Sequence, residues 1–406
     1  GVEQGEYFDV LPYAERAGDY LMGIIKTVKL PRKLKVGFSN SPANVTHATF
    51  RDLGFVAKKN GRFDVYSAGG LGNNYKMGVK VAEDVKPEEV LYYVEAMVRT
   101  FTTYGNYESR AKSRTRYMQE TLGVEGYKKA YQEKLLEVKA KFKDSLLIKS
   151  SVSAEQESNT EESVVNIKEQ ESQLKNVAAY PQTESASERV ITQKQAGLYA
   201  VAYHPVGGMV PAQKFEEIYE GIKNAAKAEV RVAPDETLYI INLNAQQAEK
   251  IHKITADGAK NLFETSVSCI GSTVCQIGLR DSQGLLASIV EVVEPYHFAD
   301  GVLPRIHISG CPSSCGTHQI GKLGFRGASK SVNEKAEPAF AFYVNGQDTQ
   351  GEERFGEEWG VMLATDIPKF FVELGTVISE EKVSYEQWYK KNMDTLKNIA
   401  EPYLQK

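Results

Sequence analysis

Every cysteine of this chain falls in one of two short stretches, SCIGSTVCQIG (268–278) and SGCPSSCGTHQIG (309–321). Four cysteines in 406 residues are too few for a disulfide scaffold. Their clustering points instead to a metal or redox site kept in a reducing compartment such as the cytoplasm. Two disulfides, or scattered core thiols acting as small hydrophobes, are the plainer alternatives. The spacing is C-x5-C (Cys269, Cys275) followed by C-x3-C (Cys311, Cys315). Zinc sites more often place two to four residues within a pair, whereas each thiolate of an iron–sulfur cube holds a different corner and accepts wider spacing. Gly271, Gly278, Gly310 and Gly316 crowd the cysteines and free backbone amides to turn toward sulfur, and Pro312 stiffens the second turn. Spacing alone therefore favours a [4Fe–4S] cluster over zinc.

The rest of the chain reads as α+β. In PRKLKVGF (31–38), Leu34, Val36 and Phe38 face one side of a strand, and Lys33 and Lys35 face the other. Residues 55–72 read as two strands around an Asn60-Gly61 turn, ending in the glycines Gly69, Gly70 and Gly72. Val90, Leu91, Val94, Met97, Val98 and Phe101 form a helical stripe over 87–102, with Pro87 in the first turn. A charged helical stretch follows from 107 to 146. Residues 150–190 are rich in Ser, Glu and Gln and cannot bury enough apolar surface to offset their ordering entropy. The expected organisation is thus an α+β domain over 1–146, an acidic linker or insertion over 147–192, a ferredoxin-like half-repeat over 193–252, and a cysteine-bearing α+β domain over 253–406. Within these, strands are expected at AGLYAVAY, AEVRVAP, 236–243, 305–309 and 339–345, and helices at 213–228, 280–292 and 384–400. The glycine turn at 69–72 and the strand at 339–345 suggest matching α+β units.

Bulk properties exclude several classes. A net charge of −4 argues against a general nucleic-acid or anionic-membrane binder. No apolar run approaches the roughly 18 residues of a membrane span. The first residues lack a signal-peptide pattern and an initiator Met, which suggests processing or truncation. GGLGNNYKMG is a lone glycine-rich turn without the strand and helix of a dinucleotide fingerprint. His47 and His318 lie near the motifs, but all six histidines read as structural.

The pattern C-x5-C…G-C-P-x-x-C-G resembles the signature of the sirohaem-containing sulfite and nitrite reductases. LPRKLKV (30–36) is similar to that family's anion-binding strand, and DLGFVA…GRFDVYSAGGLG (52–72) to its first sirohaem-lining segment. AMVRTFTTYGN…RAKSRTRYM (96–118) resembles the helix and basic run that follow, and AGLYAVAYHPVGG the start of the second ferredoxin-like half. The resemblance covers most of the chain outside 150–190. It implies α+β units carrying sirohaem and a [4Fe–4S] cluster ligated by Cys269, Cys275, Cys311 and Cys315, with Cys315 shared with the haem iron. It implies Lys33 and Lys35 as substrate-facing cations that bind an oxyanion and pass protons to departing oxygens. Candidates for the sirohaem carboxylates are Arg32, Arg110, Arg114, Arg116 and Arg231, with the amides near Gly69, Gly70 and Gly72.

The implied reaction is six-electron reduction of sulfite to sulfide, fed by ferredoxin or a similar donor. The Lys-x-Lys pair resembles sulfite-type members, whereas CIGSTVC and CPSSCGTHQIG look more like nitrite-type sequences. Nitrite reduction to ammonia is therefore the alternative, and an inactive cluster-binding fragment the non-enzymatic one. Family members normally carry a first ferredoxin-like half and arginines of the anion pocket ahead of the LPRK strand. With so few residues before Leu30, the expectation is that this chain alone holds sirohaem poorly.

Overall fold

The computed structural model describes residues 1–149 and 189–404. The chain divides into two units, one spanning Glu3–Pro181 and the other Gln182–Lys406. Most of the segment expected as a linker, residues 150–188, lies outside the described residues.

The first unit opens with helix α1 (Leu11–Ile24), which the sequence reading did not foresee. A four-stranded sheet follows, in the order β1 (Val36–Ser39), β2 (Leu53–Ala57), β3 (Phe63–Ser67), β4 (Val79–Val85). β1 and β2 are parallel, with Val36 opposite Leu53, and the remaining pairs are antiparallel. Leu34, Val36 and Phe38 pack on the unit's core, as the alternation predicts. Gly61 turns the β2–β3 connection at a φ of 73°, where an L side chain would be strained. Pro87 begins a single 3-10 turn, and helix α2 (Val90–Tyr104) follows it. α2 is buried on more than its apolar stripe, with Tyr92, Tyr93, Ala96 and Thr100 also inside.

The charged stretch after it is not one helix. It comprises 3-10 turns at Arg110–Lys112 and Thr115–Tyr117, a short α3 (Met118–Leu122) and α4 (Val124–Phe142). Gly123, at a φ of 71°, separates the two helices.

Among the described residues the second unit contains two sheets. The first is antiparallel, in the order β5 (Val190–Thr192), β6 (Tyr199–Tyr203), β8 (Leu238–Leu243), β7 (Glu229–Val232), with helices α5 (Ala212–Ile222) and α6 (Ala245–Ile254). β5 corrects the expected linker boundary: residues 190–192 are sheet, paired to β6 with Val190 opposite Val201. Their side chains are exposed, so hydrophobic patterning gives no sign of the strand.

The second sheet runs β13 (Glu357–Leu363), β12 (Lys335–Val344), β11 (Leu323–Val332), β10 (Ile306–Ser309), β9 (Val267–Ser268). β9, β10 and β11 are parallel, and β11, β12 and β13 are antiparallel. Asn333 and Glu334, both at positive φ, form the two-residue turn between β11 and β12. Helices α7 (Ser282–Val293) and α8 (Ile367–Glu381) close the core with Phe325, Phe340, Phe342, Phe370 and Phe371. The expected last helix is two, α9 (Tyr385–Tyr389) and α10 (Met393–Ala400). The Asn392 side chain donates to the Trp388 carbonyl at the break, a local bond that competes with helix continuation.

The two units repeat one device. Ile306 pairs with Leu323 as Val36 pairs with Leu53, at the same sequence separation. Asn44 and His47 in the first loop, and Ser314 and Thr317 in the second, sit at positive φ. A Cβ on Gly54 would lie 1.8 Å from the Ala48 carbonyl oxygen, and one on Gly324 1.9 Å from that of His318. The loop bearing Cys311 and Cys315 is thus the counterpart of the loop after β1.

Candidate functional site

In the first unit, the stretch before β1 carries Lys33 and Lys35 on its exposed side. The Lys35 main-chain N–H donates to Asp52 Oδ2 at 2.8 Å. Asp52, at the entrance to β2, is 1% exposed. It also accepts from Arg114 Nη2, at 2.9 Å to Oδ2 and 3.2 Å to Oδ1, and from the Thr115 hydroxyl. One buried carboxylate therefore ties the lysine strand, the start of β2 and the basic run together.

Positive charge exceeds negative there. Surrounding protein lowers the Lys35 pKa below that of an ordinary lysine, with repulsion from Arg51, Lys33 and Arg114 adding to it and Asp52 opposing. Burial likewise lowers Arg51, whose Nε donates to the Thr46 carbonyl at 2.8 Å. Arg114 Nε is buried without a partner. Arg116 is buried too, and desolvation followed by repulsion from Arg114 lowers its pKa. Its guanidinium donates to the Asn73 carbonyl at 3.0 and 2.5 Å. A Cβ on Gly70 would lie 3.1 Å from Arg116 Nη1, and one on Gly69 2.7 Å from the Arg51 carbonyl oxygen. Gly72 has a φ of 100°.

The structure thus brings Lys33, Lys35, Arg114, Arg116 and the glycine turn into one neighbourhood, and adds Arg51, Asp52 and Thr115, which the sequence reading missed. The signal for the first two was the Arg-Asp pair abutting an uninterrupted apolar strand. Arg110 is exposed on its 3-10 turn and Arg32 is half-buried. Neither contributes to the shift at Lys35. Arg231, on the outer strand β7 of the second unit, forms an ion pair with Glu229 at 2.8 Å.

In the second unit the cysteines lie on two loops that leave the adjacent parallel strands β9 and β10 at the same edge. Cys269 follows β9 directly, and its loop ends at Asp281, whose side chain caps α7 by accepting from Gly284 N–H. The loops interlock. Leu279 and Arg280 N–H donate to the Gly310 carbonyl at 3.1 and 2.9 Å, and Gly310 N–H donates to Cys269 Sγ at 3.1 Å. A Cβ on Gly310 would lie 2.5 Å from the Arg280 carbonyl oxygen. No disulfide involves any of the four; Cys311 is buried, Cys269 and Cys275 half-buried, and Cys315 exposed.

Among the described residues no three His, Cys, Asp or Glu side chains are placed to hold one metal ion. A structural zinc needs four donors on one point, whereas a cube takes one thiolate at each corner. Adjoining loops, glycines at their contact and an amide already directed at sulfur fit a cube. His318, three residues past Cys315, is fully buried against the Tyr343 ring, and neither ring nitrogen has a hydrogen-bond partner.

Comparison with known proteins follows the same lines. Residues 1–139 match the family model described as the nitrite and sulphite reductase 4Fe-4S domain. Over that stretch the chain is similar to the nitrite and sulfite reductases. The matched residues carry the cation group but no cysteine, and the repeated strand device carries the cysteines in the second unit. The chain is 23% identical over 321 residues to a sulfite reductase [NADPH] hemoprotein beta-component of Bacillus velezensis, covering 73% of this chain and 50% of that protein. It is 23% identical over 364 residues to a chloroplastic ferredoxin–nitrite reductase of Arabidopsis thaliana, covering 86% and 57%. The chain thus spans about half the length of the curated relatives it matches. The structure of the Mycobacterium tuberculosis NirA protein shares the fold, with a TM-score of 0.73 at 19% identity over 98% of this chain and 70% of that one. Among the described residues no helix is long and apolar enough to cross a membrane.

Proposed function

We propose that this chain works as a sirohaem- and [4Fe–4S]-dependent oxidoreductase whose substrate is sulfite, reduced to sulfide. The observation that carries the reading is the cation group tied to Asp52, in which Lys35 sits beside Lys33, Arg51 and Arg114. Near neutral pH a large share of sulfite is the dianion, whereas nitrite is a monoanion, so two converging ammonium groups suit sulfite better. The overall change takes sulfite, six electrons and seven protons to hydrosulfide and three waters. The bound cube and sirohaem supply the electrons singly.

The chain's own residues bind and protonate. Lys33 and Lys35 hold the oxyanion, and Lys35, with its lowered pKa, releases a proton to a departing oxygen more readily than an ordinary lysine. Asp52 fixes the backbone of that strand, and Arg51 and Arg114 keep the field positive. Arg116, with the amides of Gly69, Gly70 and Gly72 and the side chains of Arg32 and Arg110, would receive sirohaem carboxylates. Arg231, neutralised by Glu229, has a weaker claim. Cys269, Cys275, Cys311 and Cys315 would hold the cube, with Cys315 the thiolate shared with the haem iron. Four reduced thiols suit the cytoplasm, and a ferredoxin-like protein is the matching electron donor.

Nitrite is the second reading, supported by the greater share of this chain that the Arabidopsis relative covers. Turnover of both anions with a reduced viologen donor, on protein loaded with cube and sirohaem, separates the two. Sulfite turnover should exceed nitrite turnover, and Lys35→Asn should lower the ratio. An unchanged ratio contradicts the lysine assignment, and inactivity toward both anions contradicts the proposed reaction.

A further inference from the structure

Ser282 is the first residue of α7, fully buried, and touches Cys269 twice. Its Oγ lies 2.6 Å from the Cys269 carbonyl oxygen and 3.2 Å from Cys269 Sγ. A hydroxyl has a single proton and cannot donate to both. With Cys269 as a thiol there is no conflict: Ser282 donates to the carbonyl and the S–H donates to Ser282 Oγ. A thiolate has no proton to give. The 3.2 Å contact then favours the hydroxyl turning its proton to sulfur, because bonds to ionised acceptors are the stronger ones.

The carbonyl is not stranded by that turn. Gln283 Nε2 lies 3.2 Å from the Cys269 carbonyl oxygen, 2.9 Å from that of Ser268 and 2.8 Å from that of Gly207. With two amide protons for three acceptors, Gln283 covers the Cys269 carbonyl by sharing one proton between it and the Ser268 carbonyl. Glu236 Oε2 accepts the Ser268 N–H at 3.1 Å and steadies the strand that leads to Cys269. The glycines make the approach possible. A Cβ on Gly271 would lie 2.9 Å from Ser282 Oγ, and one on Gly310 3.5 Å from it.

We infer that the Ser282 hydroxyl is a two-position donor, bonded to the Cys269 carbonyl when Cys269 is a thiol and to its sulfur when Cys269 is a ligating thiolate. It is then the second hydrogen bond to that sulfur, beside Gly310 N–H. The inference rests on the reading that Cys269 ligates the cube. Hydrogen bonds to a ligating sulfur withdraw charge and raise the cluster potential. Ser282 is thus a positioning residue that adjusts the site through Cys269.

The test compares wild type with Ser282→Ala after anaerobic loading with iron and sulfide. Iron content, the cluster midpoint potential and the shift of Fe–S(Cys) Raman bands in D2O are measured. Ser282→Ala should keep its iron, titrate at a more negative potential and lose part of the D2O shift. An unchanged potential with an unchanged isotope shift overturns the inference. Should Ser282→Ala hold no cluster, Ser282→Thr, which keeps a hydroxyl at the same place, is measured instead. It should hold iron and titrate at the wild-type potential with the wild-type D2O shift; a threonine variant that holds no iron, or holds it at a shifted potential, overturns the inference. If wild type itself takes up no iron, the ligand assignment falls and the inference falls with it.

Discussion

The Lys35 main chain and the Asp52 carboxylate are bonded at 2.8 Å, so the strand presenting two lysines is anchored by a buried acid rather than by its own side chains. Lys35 is exposed as a residue while Asp52 is not. The pair therefore divides its work: Asp52 is placed for stability, and Lys35 for the proposed chemistry.

Replacing Asp52 by Ala strands the Arg114 guanidinium, the Thr115 hydroxyl and the Lys35 N–H together. The first unit should lose about 3 kcal/mol, because removing one partner of a buried ion pair leaves the other uncompensated. Lys35→Ala should stay within about 0.5 kcal/mol of wild type. Hydrogen exchange of peptides from β1 and β2 distinguishes the two, since Asp52→Ala should lose protection and Lys35→Ala should keep it.

The lowered pKa of Lys35 sets the sign of a pH effect on turnover. The protonated form of Lys35 is lost at a lower pH than that of an ordinary lysine, so kcat/KM for sulfite should fall on the alkaline side earlier than a free ammonium would allow. Lys35→Asn should remove that limb and lower kcat/KM by about a hundredfold, the scale of losing one donor to developing charge. A pH–rate profile of both proteins checks it.

What the sequence showed and what it hid follow from range. Strict alternation exposed the Lys33/Lys35 face because Leu34, Val36 and Phe38 needed a core. The Asn60-Gly61 turn and the cysteine spacing were equally local. The tie from Asp52 to Arg114 and Thr115 was hidden because it joins residues far apart in sequence. β11 is hidden because, past the buried Leu323 and Phe325, its residues are mostly small or polar and show no clear alternation of apolar side chains. The pairing that occupies Arg231 is local as well: Glu229, two residues before it on one strand, shares its face.

The second unit should weaken in mild acid. Burial, with Arg326 next, pulls His318 down to about 3, and burial, with Arg305 next, pulls His204 to about 4. Both bind protons in the unfolded chain from near pH 6.5 downward, so stability falls as pH drops through that range. Glu236, raised to about 7 mainly by burial, works the other way, losing stability as pH rises from its ordinary value. Between about pH 4.5 and 6 the two histidines outweigh the one carboxyl, and the net favours higher pH by on the order of 1 kcal/mol per pH unit. His318→Leu should bring that slope near zero. Both tryptophans, Trp359 and Trp388, lie in this unit, so denaturation followed by their fluorescence reports it alone.

Glycine at the loop contact is a further point of failure. Gly310→Ala sets a Cβ 2.5 Å from the Arg280 carbonyl oxygen, and Gly271→Ala sets one 2.8 Å from Ser282 N at a φ of 68°. Each should cost about 2 kcal/mol by tryptophan fluorescence and reduce iron uptake, since strain there moves one cysteine loop against the other.

The central claim is that the four cysteines grip one iron–sulfur cube. Iron and acid-labile sulfide, assayed after anaerobic reconstitution of wild type and of single Cys→Ser variants, test it most directly. About four irons and four sulfides per wild-type chain are expected, with loss on replacing Cys269, Cys275, Cys311 or Cys315. A chain that binds one zinc instead, or takes up no iron at all, contradicts it.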